Sequence, residues 1–538
     1  MASSVLRRRL LGATAVSGAA LWALQSRKLA NEGPAADVAS VPAPAPPAKP
    51  APVNWDAPTL VWGSNKNKLI SPDAPSSESL RTPSASDLAL PPLRDLALHA
   101  AHGALVDARG DVYQWGDAHF GDTSRDNREP MPTLTGKDIT SVALSGRKLY
   151  ALSKSGRVFV LPVAAGEHPP QQATSGSSWF SWLWGGKSEN APHVELATDS
   201  KLAYRETFTS ISAGSAHLLA LTSAGRVFAH PISLAANAYG QLGFRKVDVP
   251  AADPKQPRVE LTLNAKEPAA APEGIDDDSI RFCDKLFDVP ALSEVKAAQV
   301  VAGDRSSFVR TAQEGRVLAW GANEYGQLGL GTATTLPYVT VPSEVVTSRY
   351  CPIGTYSKCL SIVAGGDLTF FVVERSSPGK QRSIDVLAAG RGQWGALGNG
   401  VFSSAQADPL RIRAVSGLTE YSETLKKTVP MDVHALSVSP APSGHVLLTL
   451  GARSEGAVAR DLLSWGLNQS GQLGNGARKN IAVPAPLEDG SGQRALLGER
   501  TMAVRDMQGA VWRKKARVQQ TVVAGHECSV AYWKIVDP

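Results

Sequence analysis

Cysteine is scarce in this chain: Cys283, Cys351, Cys359 and Cys528 are the only four in 538 residues. None forms a C-x-x-C pair, and no histidine cluster completes a zinc site. A disulfide-stapled secreted scaffold is therefore excluded, and the thiols read as free in a reducing compartment. Excess charge is scarce as well. The formal net charge is +6, and five positive charges (Arg7, Arg8, Arg9, Arg27 and Lys28) lie ahead of the first acid, Glu32. Without those five the remainder carries +1, so the body lacks the basicity of a nucleic-acid binder. There is no P-loop, no G-x-S-x-G elbow, no H-E-x-x-H and no dinucleotide fingerprint. No catalytic, cofactor or metal residue is nominated, and the chain is not read as an enzyme.

Long apolar runs are also missing. The longest uncharged stretch that matters is Leu10 to Leu24, fifteen residues, where a span needs about 20 and about 17 is near the lower limit. With its Arg-rich, acid-free flanks, 1–30 reads as mitochondrial targeting. Residues 10–26 are expected to serve as a short transmembrane helix in the inner membrane. A secretory signal is the rival, but Arg27-Lys28 stands where a small-residue cleavage site belongs. Residues 31–58 form a linker, and Val41 to Pro52 is Pro/Ala-rich and semi-rigid.

Glycine, at 48 residues, and proline, at 37, are plentiful. They punctuate a repeat. Trp320-Gly321-Ala322-Asn323 leads into Gly326-Gln327-Leu328-Gly329, and Trp465-Gly466-Leu467-Asn468 into Gly471-Gln472-Leu473-Gly474, with the same spacing. Upstream of Trp320, Gln299 to Gly303, Ser307 to Arg310 and Arg316 to Gly321 are short apolar runs separated by Gly turns, which predict antiparallel strands. Six whole units of this kind follow one another. Two halves remain: Thr59 to Asn65 has the Trp62-Gly63 end without a beginning, and Thr521 to Trp533 has a beginning without the end. Together they make a seventh. Insertions separate the units, the longest at 163–207 and 244–297.

This pattern resembles the regulator of chromosome condensation repeat family, over about 59–535. The resemblance implies an all-β, seven-bladed β-propeller closed by pairing of its N- and C-terminal strands. The motif is degraded where Leu161-Pro162 and His230-Pro231 replace Trp-Gly, and where Ala389-Gly390 replaces Trp.

Trp62, Gly63, Trp115, Gly116, Trp320, Gly321, Trp465 and Gly466 are read as structural punctuation: Gly for positive φ, Trp to fill the space between sheets. His102 and His217 occupy matching places, where other units carry Lys148, Ser306 and Cys528, and read as structural hydrogen-bonders. Asp276-Asp277-Asp278 reads as a solvated turn. Arg494 to Arg517 holds seven basic residues against Glu499 and Asp506, and reads as a solvated loop that could touch RNA or anionic lipid. The candidate contact patch is Trp179, Phe180, Trp182 and Trp184, four aromatics in six residues within the first long insertion.

Leader, apolar segment, linker and degenerate propeller together resemble the fungal mitochondrial inner-membrane branch of that family, implicated in assembly of respiratory complex III, the cytochrome bc1 complex. The resemblance implies a scaffold facing the matrix, with complex III subunits or assembly factors as partners. A guanine-nucleotide exchange factor for a small or mitochondrial GTPase is the alternative. A mitochondrial RNA- or ribosome-associated factor is a third, although nucleic acid is not the expected partner.

Overall fold

The computed structural model describes residues 53–536, apart from 73–78, 122–127, 167–190, 252–254, 267–275, 333, 350, 352, 423–424, 443, 455–456 and 489–491. The chain divides into two compact units, Met1–Lys49 and Pro50–Pro538. Only the second contains described residues, and it is all-β.

The repeat seen at 299–329 becomes four antiparallel strands in chain order: Ala297–Ala302, Ser306–Thr311, Val317–Ala322 and Tyr338–Val345. Sheets of the same order begin at Asp95–Leu98, Ile139–Ser145 and Tyr356–Gly365. The unit that begins at Phe208–Ala213 takes Lys285–Asp288 as its outer strand, with Ala197–Thr198 added in parallel at the edge. Lys246–Pro250 pairs with Arg258–Thr262 and Thr419–Ser422 with Lys427–Pro430 as separate hairpins, and the other strands form one nine-stranded sheet. In it Leu496–Arg505 links Ala457–Gly466 to Val511–Ala524, Cys528–Ile535 follows, and Cys528–Ile535 pairs antiparallel with Thr59–Ser64 at the other end of the sequence.

The fourth strand is the main addition to the sequence reading. It lies within the segments read as insertions: Val194–Glu195 in 163–207, Lys285–Asp288 in 244–297, and likewise Tyr338–Val345, Ser403–Arg411 and Ile481–Pro486. Four outer strands share one device. Pro83, Pro342, Pro409 and Pro484 each sit at a break in register where the outer strand carries extra residues, for example between Ser343 opposite Ala319 and Val339 opposite Gly321. Proline donates nothing to a ladder and a bulge increases twist, so these edges are poor templates for another chain.

The core lies between successive sheets. Leu219, Val227 and Leu242 pack with Val300, Val309 and Trp320 of the next unit. The same relation joins the last unit to the first, where Val530 and Tyr532 pack with Leu96, Leu105 and Trp115.

The glycine of Trp-Gly is held by close approach. Gly321 has φ +104°, and a Cβ there would lie 2.6 Å from the Arg305 carbonyl oxygen and 2.8 Å from Ser306 Cα. Gly116, at φ 101° and ψ 169°, lies in a region essentially reserved for glycine. Gly321→Ala is expected to cost about 3 kcal/mol or more in urea unfolding. The control is Gly379→Ala, at φ +74° with nothing within 4 Å, expected to cost about 1 kcal/mol.

The membrane expectation needs correction. Among the described residues no helix is long and apolar enough to cross a membrane, and 10–26 itself lies outside them. Fifteen uncharged residues fall short of the about 20 that a span requires, and the transmembrane helix is withdrawn.

Candidate functional site: the axial cavity and the bolts between units

The first strand of each unit runs past its neighbour's at very short range. Ala302-Gly303 lies beside Ala364, 3.5 Å from where a Gly303 Cβ would be, and Gly365 faces Val438 and Ser439 in the same way. Ala-Gly permits the approach at Gly214, Gly303 and Gly365, while Leu98-His99 and Val438-Ser439 stand at the same place in two other units. Seven such segments line one cavity of about 280 Å³, from Leu96–His99 round to Val523–Ala524. Its polar groups are few: His99, Ser145, Ser215, Asp304 and Ser437. Burial, and then the neighbouring Asp367 carboxylate, push the Asp304 carboxyl above its ordinary value. Among the described residues no group of three or more His, Cys, Asp or Glu could hold a metal ion. Such a cavity is small beside an ordinary ligand pocket.

The motif residues make the joints between units. Trp62, Trp115, Trp320 and Trp465 are all buried. The indole N–H of Trp320 donates to the carbonyl of Gln241 in the preceding unit (2.8 Å), Trp465 to Ala396 (2.7 Å), Trp62 to Gln472 (2.8 Å) and Trp115 to Leu69 (2.9 Å). The accepting loops cap themselves. Asn468 Oδ1 accepts from the Leu473 amide and Gln472 Oε1 from the Ser470 amide, and Asn237 and Gln241 repeat both bonds. The spacing Asn-x-x-Gly-Gln-Leu-Gly is that of a loop whose side chains replace its missing backbone partners.

Histidines add a second bolt. His217 Nε2 lies 2.9 Å from Ser307 Oγ, and that hydroxyl donates to Gln241 O at 2.7 Å. His445 Nε2 lies 3.1 Å from Ser529 Oγ, which donates to Gln472 O at 2.9 Å. Each serine proton is committed to a carbonyl, so the histidine Nε2 must donate, and burial keeps the ring neutral. His102 donates from the same nitrogen to Gln114 Oε1 at 2.9 Å. His445 was missed by sequence reasoning. It stands opposite Gly466, as His217 stands opposite Pro231, and that register was its signal.

Lys148 occupies the same place in its unit and is buried. Its ammonium donates to the carbonyls of Ile232 (2.5 Å) and Asp277 (2.8 Å) and lies 5.3 Å from the Phe282 ring. Burial lowers its pKa to about 8 against the opposing pull of Asp277 and Asp278. The acidic turn 276–278 is therefore held to the body, where a merely solvated turn was expected; Asp278 also pairs with Arg147 at 2.6 Å.

Arg494 to Arg517 is not a loop. It contributes to two long strands, Leu496–Arg505 and Val511–Ala524. Trp179, Phe180, Trp182 and Trp184 lie outside the described residues.

A regulator of chromosome condensation repeat model matches residues 314–372 and 461–497, and a second model of that repeat matches 297–327. The chain carries regulator of chromosome condensation repeats. It is similar to protein FMP25, mitochondrial, from Saccharomyces cerevisiae, with 24% identity over 453 residues; the match covers 80% of this chain and 65% of that relative's length. It is similar to the mouse secretion-regulating guanine nucleotide exchange factor, with 26% identity over 394 residues, covering 72% and 69%. Among solved structures, Prp20p from Saccharomyces cerevisiae, described with its binding properties to Gsp1p and histones, superposes with a TM-score of 0.53 at 16% identity, covering 89% of this chain and 92% of that one. That likeness establishes the fold: an all-β repeat chain whose structural neighbours are propellers of this repeat.

Proposed function

We propose that this chain is a non-enzymatic mitochondrial scaffold, a closed seven-bladed propeller that serves on the matrix side of the inner membrane as an assembly factor for respiratory complex III. The observation that carries the reading is the likeness to the yeast mitochondrial relative over 80% of the chain, in agreement with the acid-free, Arg-rich leader. Seven first strands around one cavity, and a core that joins last unit to first, support the closed ring. A ring of rigid units with two loop-built faces suits protein contact, and Trp179, Phe180, Trp182 and Trp184 are assigned to it. Cells without the chain should lose assembled complex III, read on native gels, while the other respiratory complexes persist. Trp182→Ser with Trp184→Ser should reproduce part of that loss in a protein that still folds. Unchanged complex III in the deletion would sink the reading.

The second reading, nucleotide exchange on a GTPase, is favoured by the likeness to the secretion-regulating exchange factor. Accelerated nucleotide release from a mitochondrial GTPase, with complex III intact, would establish it instead.

A further inference from the structure

The hairpin formed by Leu496–Arg505 and Val511–Ala524 has two sides with different fates. One side is structural. Val504, Ala516 and Val518 pack with Ala108, Trp533 and Ile535. Near its tip, Asp506 pairs with Arg109, and the Met507 amide donates to Asp107 Oδ2 at 3.4 Å. At its base, Leu497 and Gly498 pair with Arg460 and Ala459 of the preceding unit. The hairpin thus ties three successive units together, and its buried side is accounted for.

The exposed side is basic. Arg505, Arg513, Lys514, Lys515 and Arg517 are all exposed. A regular strand would turn every second residue inward. Here the register breaks twice, between Met502 and Val504 and again between Val504 and Arg505. Extra residues at bulges re-aim side chains, and that is how three consecutive basic residues, 513–515, all come to face solvent. The hairpin's two acids offer little compensation. Asp506 is committed to Arg109, and Glu499 lies 3.0 Å from Arg460 and 3.6 Å from Arg517.

We propose that this basic face docks on an anionic lipid surface. Charge complementarity selects an anionic partner, and a cluster of four to eight Lys and Arg is enough to hold a protein to an anionic leaflet. A single-stranded nucleic acid would use exposed rings for its bases. The Trp512 ring instead carries the Arg513 guanidinium at 4.1 Å, with that of Arg94 at 6.0 Å. A protein partner would seek an aromatic anchor at the centre of the patch, and the exposed face has none. The inference rests on the inner-membrane part of the reading above and is independent of complex III.

The test is co-sedimentation of the full-length chain with phosphatidylcholine vesicles containing phosphatidylglycerol, against pure phosphatidylcholine vesicles. The unaltered chain should bind the anionic vesicles alone, and less as salt rises. Lys514→Ser with Lys515→Ser, neither in the buried side, should weaken binding about 30-fold, from about 1 kcal/mol for each basic residue at the surface. An unchanged urea midpoint shows that the variant is folded; if it is not, Lys515→Gln alone serves, with a loss of about fivefold. Equal binding by variant and parent would overturn the hairpin while leaving membrane association to another segment. Absence of vesicle binding, or binding of polyuridylate in its place, would overturn the lipid partner. None of these outcomes touches complex III assembly, which native gels score separately.

Discussion

Acidification from pH 8 to pH 5 should destabilise this protein by about 8 kcal/mol, about 2 kcal/mol for each of four buried histidines. Burial is the largest cause in all four. It lowers His102 and His445 to about 3, and His217 and His230 to about 4. For His217, the Ser307 hydroxyl is spoken for by the Gln241 carbonyl and cannot also donate to the ring. The folded chain keeps these rings neutral, while the unfolded chain protonates them near the ordinary value of 6.5. Below 6.5 the unfolded state therefore binds more protons, so stability is full above that value and falls as the pH drops towards 4. The Asp107 and Asp304 carboxyls, raised by burial, work in the opposite direction. They are two groups against four.

A loss of that size rivals the whole stability of a typical domain, about 5–15 kcal/mol. The urea midpoint should collapse across this window, well before most carboxylates titrate. His217→Gln supplies the control. A glutamine amide can still donate to Ser307 Oγ but takes no proton, so the variant should recover about 2 kcal/mol of the acid loss at pH 5. A midpoint flat from pH 7 to 5, or a variant whose curve parallels the parent's, would show that these rings are charged or reach water in the folded state.

What the sequence revealed of this fold follows the buried side of the chain. The second and third strands of the units are largely inaccessible on both faces, as in His217–Thr222 and Val227–Pro231, so they stand out as apolar runs. The outer strands do not. Tyr338–Val345 is mostly exposed or half-buried, and Pro342 interrupts its ladder, so neither alternation nor an apolar run marks it. The Leu496–Arg505 hairpin was obscured for a related reason: an unshared edge is protected by charge, and a run of arginines and lysines reads as solvated loop. The joints were half legible. Trp-Gly-x-Asn and Gly-Gln-Leu-Gly were visible as spacing. That the indole of one unit bonds the Gln carbonyl of the unit before it is a fact about neighbours, and one unit's sequence does not contain it.

Deleting residues 526–538 should abolish cooperative folding. The strand Cys528–Ile535 lies between Val511–Ala524 and Thr59–Ser64, paired on both sides. Its removal strips Thr59–Ser64 of its inner neighbour and leaves two long ladders open, a direct route to aggregation. It also empties the core positions of Val530, Tyr532, Trp533 and Ile535, all buried. At about 1.5–3 kcal/mol for each large side chain, that alone is about 10 kcal/mol, as much as such a protein has to lose. Merely moving the chain ends should be tolerated. A circular permutant can join Val536 to Val53 through a short Gly/Ser linker and open the chain in the exposed turn at 377–380. It keeps Thr59 opposite Tyr532 and Trp62 opposite Ser529, and it cuts only the covalent link between two strands that stay paired. It should unfold cooperatively in urea within about 1–2 kcal/mol of the parent. If the truncated chain unfolds cooperatively and the permutant does not, the order of the covalent chain outweighs the pairing of its first and last strands. If the permutant alone unfolds cooperatively, that pairing is what makes one body of the units.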